Sequence, residues 1–350
     1  MADPSPPTRH ALSWLTDANY FSIPAWYPIY FLTSQLRALP YPQADHRGKT
    51  VIVTGANVGL GREAARHFCR LGASRVILAC RDVDKGRAAG ADVEASASRA
   101  GVVDVWQLDL GSFESVRAFC RRAEAELDRL DVLVENAGVA IGTYVECDGG
   151  FESTIAVNVV STFLMALLLL PTLRRTAARF NVEPRLVVVS SDAHLFAKFA
   201  ERQQPNIFQA FKGGENMNED RYNLSKLLEV FIVRQLASEM APNDPVIVNA
   251  LSPGFCQSTL FRHAPGFLRA VLEVGVRILG RSSEMGSRAL VSAAAAGRET
   301  HGRYMDNCKL RDPSKFVLSE EGQQVQERVY NELMEVLEDV EPGITKNIRA

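Results

Sequence analysis

The sequence predicts an α/β protein with a doubly wound parallel sheet in a single domain. Three observations predict it: short β-branched runs recur from residue 49 onward, amphipathic stretches separate them, and the first run ends in a glycine-rich turn. Continuous apolar runs are what strands buried on both faces look like. Strand, helix, strand repeats imply helices on both sheet faces and right-handed crossovers.

The predicted strands are TVIVT (50–54), RVILAC (75–80), VDVWQL (103–108), DVLVEN (131–136), RLVVVSS (185–191) and PVIVNAL (245–251). Helix-like stretches between them include Gly61 to Leu71, Ser112 to Leu127 and Tyr222 to Met240. Ile155 to Leu170 reads as a buried helix that stops at Pro171. This alternating body occupies residues 46–305, between an extension at 1–45 and a helical tail at 306–350. In the tail Val325, Val329, Leu333, Val336, Leu337 and Val340 follow Ser319, a plausible N-cap, at three- and four-residue spacings.

Two segments fall outside the alternation and carry two readings each. Residues 255–300 contain FLRAVLEVGVRIL, either a lid over a substrate or an ordinary surface helix pair. Residues 20–32, YFSIPAWYPIYFL, are broken by Pro24 and Pro28 and fall short of the roughly 20 residues of a spanning helix. They read as an extension packed on the body, or as a membrane-surface hook or pocket lid.

Charge and composition narrow the function classes. The 350 residues carry 39 Lys plus Arg against 41 Asp plus Glu, which gives no field for gathering phosphates and argues against a nucleic-acid partner. With 47% hydrophobic and 23% charged residues, wholesale disorder is excluded. The six cysteines, Cys69, Cys80, Cys120, Cys147, Cys256 and Cys308, show no CxxC spacing and read as reduced thiols of an intracellular protein. Asp3, Pro4, Pro6 and Pro7 precede any apolar run, unlike a secretory signal, so a cytoplasmic location is expected.

The first strand leads into Thr54-Gly55-Ala56-Asn57-Val58-Gly59-Leu60-Gly61. Glycines at a strand-to-helix junction let backbone amides and the helix N-terminus approach a pyrophosphate closely. After the second strand comes Cys80-Arg81-Asp82, where such a fold meets the adenosine ribose. Arg81 can pair with the 2'-phosphate of NADP, whereas Asp82 would bond the 2'-hydroxyl of NAD. The expected cofactor is NADP(H).

Tyr222 and Lys226 stand at i and i+4 of a helical stretch and share a face. A neighbouring ammonium stabilises a phenolate, which suits the tyrosine to general acid–base work. Ser190 and Ser191 end a strand at the carboxyl edge of the sheet, where open α/β folds bind ligands. A hydroxyl there can hydrogen-bond a substrate oxygen. Asn136 closes the fourth strand at the same edge, and Asn158 is a lone amide in an apolar helix.

Taken in order, TGANVGLG (54–61), NAG (136–138), Asn158, Ser191, YNLSK (222–226) and Ser252-Pro253-Gly254 resemble the short-chain dehydrogenase/reductase family over roughly residues 48–305. The resemblance implies a Rossmann-type fold and direct hydride exchange between nicotinamide and substrate without a metal. It implies that Tyr222 exchanges the proton, that Lys226 lowers its pKa and holds the nicotinamide ribose, and that Ser191 steadies the substrate carbonyl. Asn158 would support a proton relay through water. Gly55, Asn57, Gly59, Leu60 and Gly61 would form the cofactor turn, Asp109 would meet the adenine, Asn136 would line the cleft, and Pro253, Gly254 and Ser258 would contact the nicotinamide end.

Within the family, ACRD (79–82) and DLGSFESVR (109–117) are similar to the retinol-dehydrogenase-like branch, and FVLSEEGQQVQERVYNELMEVLE to reductases of fungal secondary metabolism. Glu135 departs from the usual Asn before Asn-Ala-Gly, and the gap from Ser191 to Tyr222 is long, leaving Ser190 as an alternative. The resemblance implies a small-molecule carbonyl or alcohol substrate, hydrophobic and small to medium in size, and a homodimer or homotetramer. The competing readings are a membrane-associated retinol-type dehydrogenase and a dinucleotide-binding scaffold without catalysis.

Overall fold

Thr50–Thr54 (β1) is buried along its whole length, as an unbroken β-branched run demands of a central strand. It pairs in parallel with Arg75–Cys80 (β2) on one side and Val132–Glu135 (β4) on the other. Val103–Gln107 (β3) flanks β2, and Arg185–Val189 (β5), Ile247–Ser252 (β6) and Arg303–Asp306 (β7) continue the parallel sheet beyond β4. Lys309–Arg311 (β8) closes the edge antiparallel to β7, so the order is β3-β2-β1-β4-β5-β6-β7-β8. The order reverses between β1 and β4, which opens a crevice at the carboxyl ends of the strands. This is a computed structural model, and it describes residues 27–257, 260, 275, 277 and 279–349.

The helices are Tyr27–Gln35 (α1), Gly59–Arg70 (α2), Val83–Ala97 (α3), Phe113–Glu126 (α4), Ser153–Phe180 (α5), Arg221–Glu239 (α6), Ser283–Ala295 (α7) and Glu320–Val340 (α8). One sheet face packs against α4, α5 and α6 through Phe119, Leu164 and Phe231, and α8 packs on α6 from outside, adding Leu333 to the same core. The other packs against α2, α3 and α7 through Phe68, Val93 and Leu290. Ser319 caps α8 as its sequence indicates, accepting from the Gly322 amide at 3.0 Å.

Three features depart from the sequence reading. Ser283–Ala295 (α7), within the segment 255–300 read as a lid or a surface helix pair, is a crossover helix buried against the sheet through Leu290. The helix expected to stop at Pro171 runs on to Phe180. Proline cannot donate to the carbonyl of Leu167 one turn earlier, and Asn347 Nδ2 donates to it instead at 3.2 Å. Sheet structure also runs past residue 305: β7 straddles that point and β8 follows it. Neither short strand carries a β-branched run to announce it.

Candidate active site

The cleft at the strand-order reversal is a cavity of about 1150 Å³, larger than the roughly 300–1,000 Å³ of most small-ligand pockets. Gly55, Asn57, Gly59, Leu60, Arg81, Asp109, Asn136, Ser191, Tyr222, Lys226, Pro253 and Gly254 all line it. Gly61 and Asn158 stand behind the wall, and Ser258 lies outside the described residues, as do residues 20–26 and most of 261–278.

The glycine turn fits a dinucleotide. Gly55 and Gly59 adopt φ of +63° and +57°, a backbone that favours glycine. A Cβ on Gly61 would lie 2.6 Å from Asn136 Nδ2, whereas one on Gly59 would meet nothing within 4 Å. The first thus lets α2 seat against β4, and the second leaves open space beside the turn. Val58, the residue preceding α2, supplies no side-chain cap, so the first-turn amides of the helix are left for an anion. Asn136 Nδ2 is tied to Thr54 O at 2.8 Å, which binds the end of β4 to the turn.

At the adenosine end, Asp82 is already engaged. It caps α3 through the Lys85 amide at 3.0 Å and pairs with Lys85 Nζ at 2.7 Å. Arg81 is exposed beside it on the cavity wall and, among the described residues, makes no ion pair.

The tyrosine–lysine face is built on α6. Buried Arg221 anchors its first turn, pairing with Glu201 at 3.1 Å and donating to Asn216 O at 2.7 Å. Tyr222 and Lys226 follow one turn apart, and the Ser191 hydroxyl bonds the Tyr222 phenol. Ser190 points the other way, donating to Lys226 O at 2.9 Å. Of the two serines, Ser191 is therefore the one that meets the tyrosine.

Lys226 Nζ donates to Val189 O at 3.0 Å and to Glu229 Oε1 at 2.7 Å. Burial opposes its charge, but Glu229 and Tyr222 hold the ammonium above its ordinary value. Burial pushes the Tyr222 phenol up, Lys226 pulls it down, and Glu229 pushes it up again. The lysine's pull matches the sequence expectation, yet it does not win here.

Asn158 lies in a π-helical turn, Ala156–Ser161. Its Oδ1 accepts from Val139 N at 2.9 Å, and its Nδ2 donates to Val139 O and Ser225 Oγ, each at 3.0 Å. That side chain is fully engaged in joining the loop after β4 to α6.

Part of the aromatic stretch read as a packed extension or pocket lid does reach the cavity. Tyr27, Pro28 and Phe31 of α1 line the cavity beside Phe196 and Phe255. Ring centroids lie 6.0 Å apart for Tyr27–Phe196 and 6.3 Å for Phe31–Phe255. Gln35 Nε2 donates to Phe255 O at 2.8 Å, and Arg281 reaches both Ser34 O and Pro253 O, pinning the helix in place. Gly254 makes room for this, because a Cβ there would come 2.6 Å from Arg281. Glu229 was within reach of sequence reasoning, at i+7 from Tyr222 on the same helical face.

A glycine turn at the switch point and a tyrosine–lysine pair opening into the same cleft define a dinucleotide-dependent oxidoreductase class on a doubly wound sheet. Comparison with known proteins agrees. The family described as short chain dehydrogenase matches residues 49–201. The chain is 43% identical to the short chain dehydrogenase/reductase dmxR8 of Cryptosporiopsis sp., over 91% of this chain and 99% of that one. It is 40% identical to the short-chain dehydrogenase anuD of Penicillium roqueforti, over 90% of this chain and 84% of that one. Among solved structures, an uncharacterised protein of Mycobacterium paratuberculosis matches at TM-score 0.64 and 25% identity, covering 86% of this chain and 96% of its own. The Pseudomonas aeruginosa RhlG/NADP active-site complex matches at TM-score 0.57 and 27% identity, covering 76% and 97%. The chain belongs to the short-chain dehydrogenase/reductase family.

Proposed function

We propose that this protein interconverts a carbonyl and an alcohol using NADP(H), on a hydrophobic substrate of small to medium size, in fungal secondary metabolism. The observation that carries the reading is the convergence of Ser191, Tyr222 and Lys226 on one cavity with the glycine turn. When bound, the reduced nicotinamide supplies a hydride to the carbonyl carbon. Tyr222 gives its phenolic proton to the carbonyl oxygen, Ser191 holds that oxygen, and Lys226 binds the ribose with the N–H that Val189 and Glu229 leave over. Asn158 acts as a positioning residue through Val139 and Ser225.

Arg81 supports NADP over NAD, since Asp82 is spent as a helix cap and Arg81 is not. The aromatic wall of Tyr27, Phe31, Phe196 and Phe255 supports an apolar substrate. Tyr222→Phe tests the assignment: turnover of a carbonyl panel is lost while NADPH binding, followed by fluorescence, stays within about threefold. Retained turnover refutes the assignment.

A cytoplasmic, membrane-surface location is a second reading, favoured by the outer side of α1 and the residue just after it, where Ile29, Leu32 and Leu36 are 70%, 45% and 78% exposed. Replacing all three with Ser moves the protein from pellet to supernatant on fractionation if α1 is an anchor. A distribution that the substitutions leave unchanged excludes α1 as the anchor.

A further inference from the structure

Tyr222, Lys226 and Glu229 lie at i, i+4 and i+7 of α6, one continuous face aimed at the sheet. Glu229 is 2% exposed and Lys226 4%. Their ion pair at 2.7 Å is therefore shut away from water. The lysine has three N–H donors, and Val189 O and Glu229 Oε1 take two of them in fixed directions. Ser190 gives its single proton to Lys226 O, and Glu229 Oε2 is left without a hydrogen-bond partner. A half-partnered buried carboxylate is costly, and its one strong contact is with the lysine of the catalytic face.

We propose that Glu229 is a positioning residue for the reaction: it fixes Lys226 and offsets the lysine's charge, so that Tyr222 remains a protonated phenol and the site is set to reduce a carbonyl. This rests on the oxidoreductase reading above and adds the direction in which the site is poised. A lone buried ammonium beside the phenol would draw off its proton, preparing the base that alcohol oxidation needs. With Glu229 behind it, the pair has little net charge to exert. Burial raises the Glu229 carboxyl to about 7 against the pull of Lys226. The carboxylate is thus charged in the alkaline range, where a phenol would otherwise lose its proton. The groups that face this system are Lys226 on α6, the hydroxyls of Ser190 and Ser191 at the end of β5, and Cys256 after β6.

Glu229→Gln keeps an acceptor for Lys226 Nζ and removes the charge. In NADPH-driven carbonyl reduction, the alkaline limb of its kcat–pH profile moves to lower pH by about one unit. Glu229→Asp, which restores the charge, keeps the wild-type limb even where its kcat is lower. A Gln limb that stays in place or moves to higher pH overturns the proposal. Should the Gln variant not fold, the wild-type protein decides by ultraviolet difference titration against Tyr222→Phe. Phenolate from Tyr222 appears only above the ordinary value of about 10, and its appearance near neutrality overturns the proposal. That titration needs no turnover. A failure of the oxidoreductase reading shows separately, as an absence of turnover on every carbonyl tried.

Discussion

Tyr27 and Asp192 stand 165 residues apart in the chain, yet the Tyr27 hydroxyl donates to the Asp192 carboxylate at 3.1 Å. Tyr304 of β7 donates to the other oxygen of that carboxylate at 2.7 Å. Asp192 directly follows Ser191, so the extension is latched beside the serine that meets Tyr222.

Cutting that latch alters substrate binding before it alters chemistry. Tyr27→Phe removes a bond to a charged acceptor, worth about 1.5 kcal/mol, and raises KM for a bulky hydrophobic carbonyl roughly tenfold. Steady-state kinetics should show kcat and the KM for NADPH nearly unchanged, the pattern of lost ground-state binding. An unchanged substrate KM would mean that α1 does not touch the substrate.

The proposed role of Arg81 at the 2'-phosphate can be tested directly. Arg81→Ala weakens NADPH about 10- to 100-fold, the loss of one charge-assisted phosphate contact, and leaves NADH within about threefold. Equal losses for both cofactors would remove Arg81 from any role at the 2'-position.

Glu135 makes the fold lose stability as pH rises. It is buried on β4 with neither carboxylate oxygen hydrogen-bonded, and burial raises its carboxyl to about 8. The folded value lies above the unfolded one, so the unfolded chain releases this proton first. Stability from this group is full below about pH 4.3 and is lost progressively up to about pH 8, at up to ~1.4 kcal/mol per pH unit. Glu135→Gln cannot ionise, so its advantage in Tm over wild type should grow from pH 5 to pH 8. A gap between the two melting curves that is independent of pH would contradict this.

The tail is part of the core. Leu333 is fully buried between α8 and the body, and Gln326 of α8 accepts from Arg234 of α6 at 2.9 Å. Leu333→Ala costs about 2–5 kcal/mol, to be measured by urea unfolding. A loss under about 0.5 kcal/mol would show the tail to be a loose appendage.

The parts of the site legible in the sequence are those that depend on local geometry. TVIVT and RLVVVSS announce buried strands because strand faces alternate and both faces are apolar. Tyr222 and Lys226 announce a shared face because a helix repeats every 3.6 residues. Pro171 misleads for the same reason: the rule that proline ends a helix is local, and the donor that rescues Leu167 O comes from Asn347 in the tail. Glu229 shares the helical period of Tyr222 and Lys226, but period alone does not distinguish a buried counter-charge from a solvated one.

The sequence by itself determined the doubly wound sheet, the glycine turn and the tyrosine–lysine face, because each follows from the spacing of residues within one or two elements. Only the tertiary structure decided which serine meets the tyrosine, that Glu229 is sealed against Lys226, and that Tyr27 and Phe31 stand in the pocket wall. Those facts depend on contacts between segments far apart in the chain. Such contacts are set by how whole layers pack, and no local period records them.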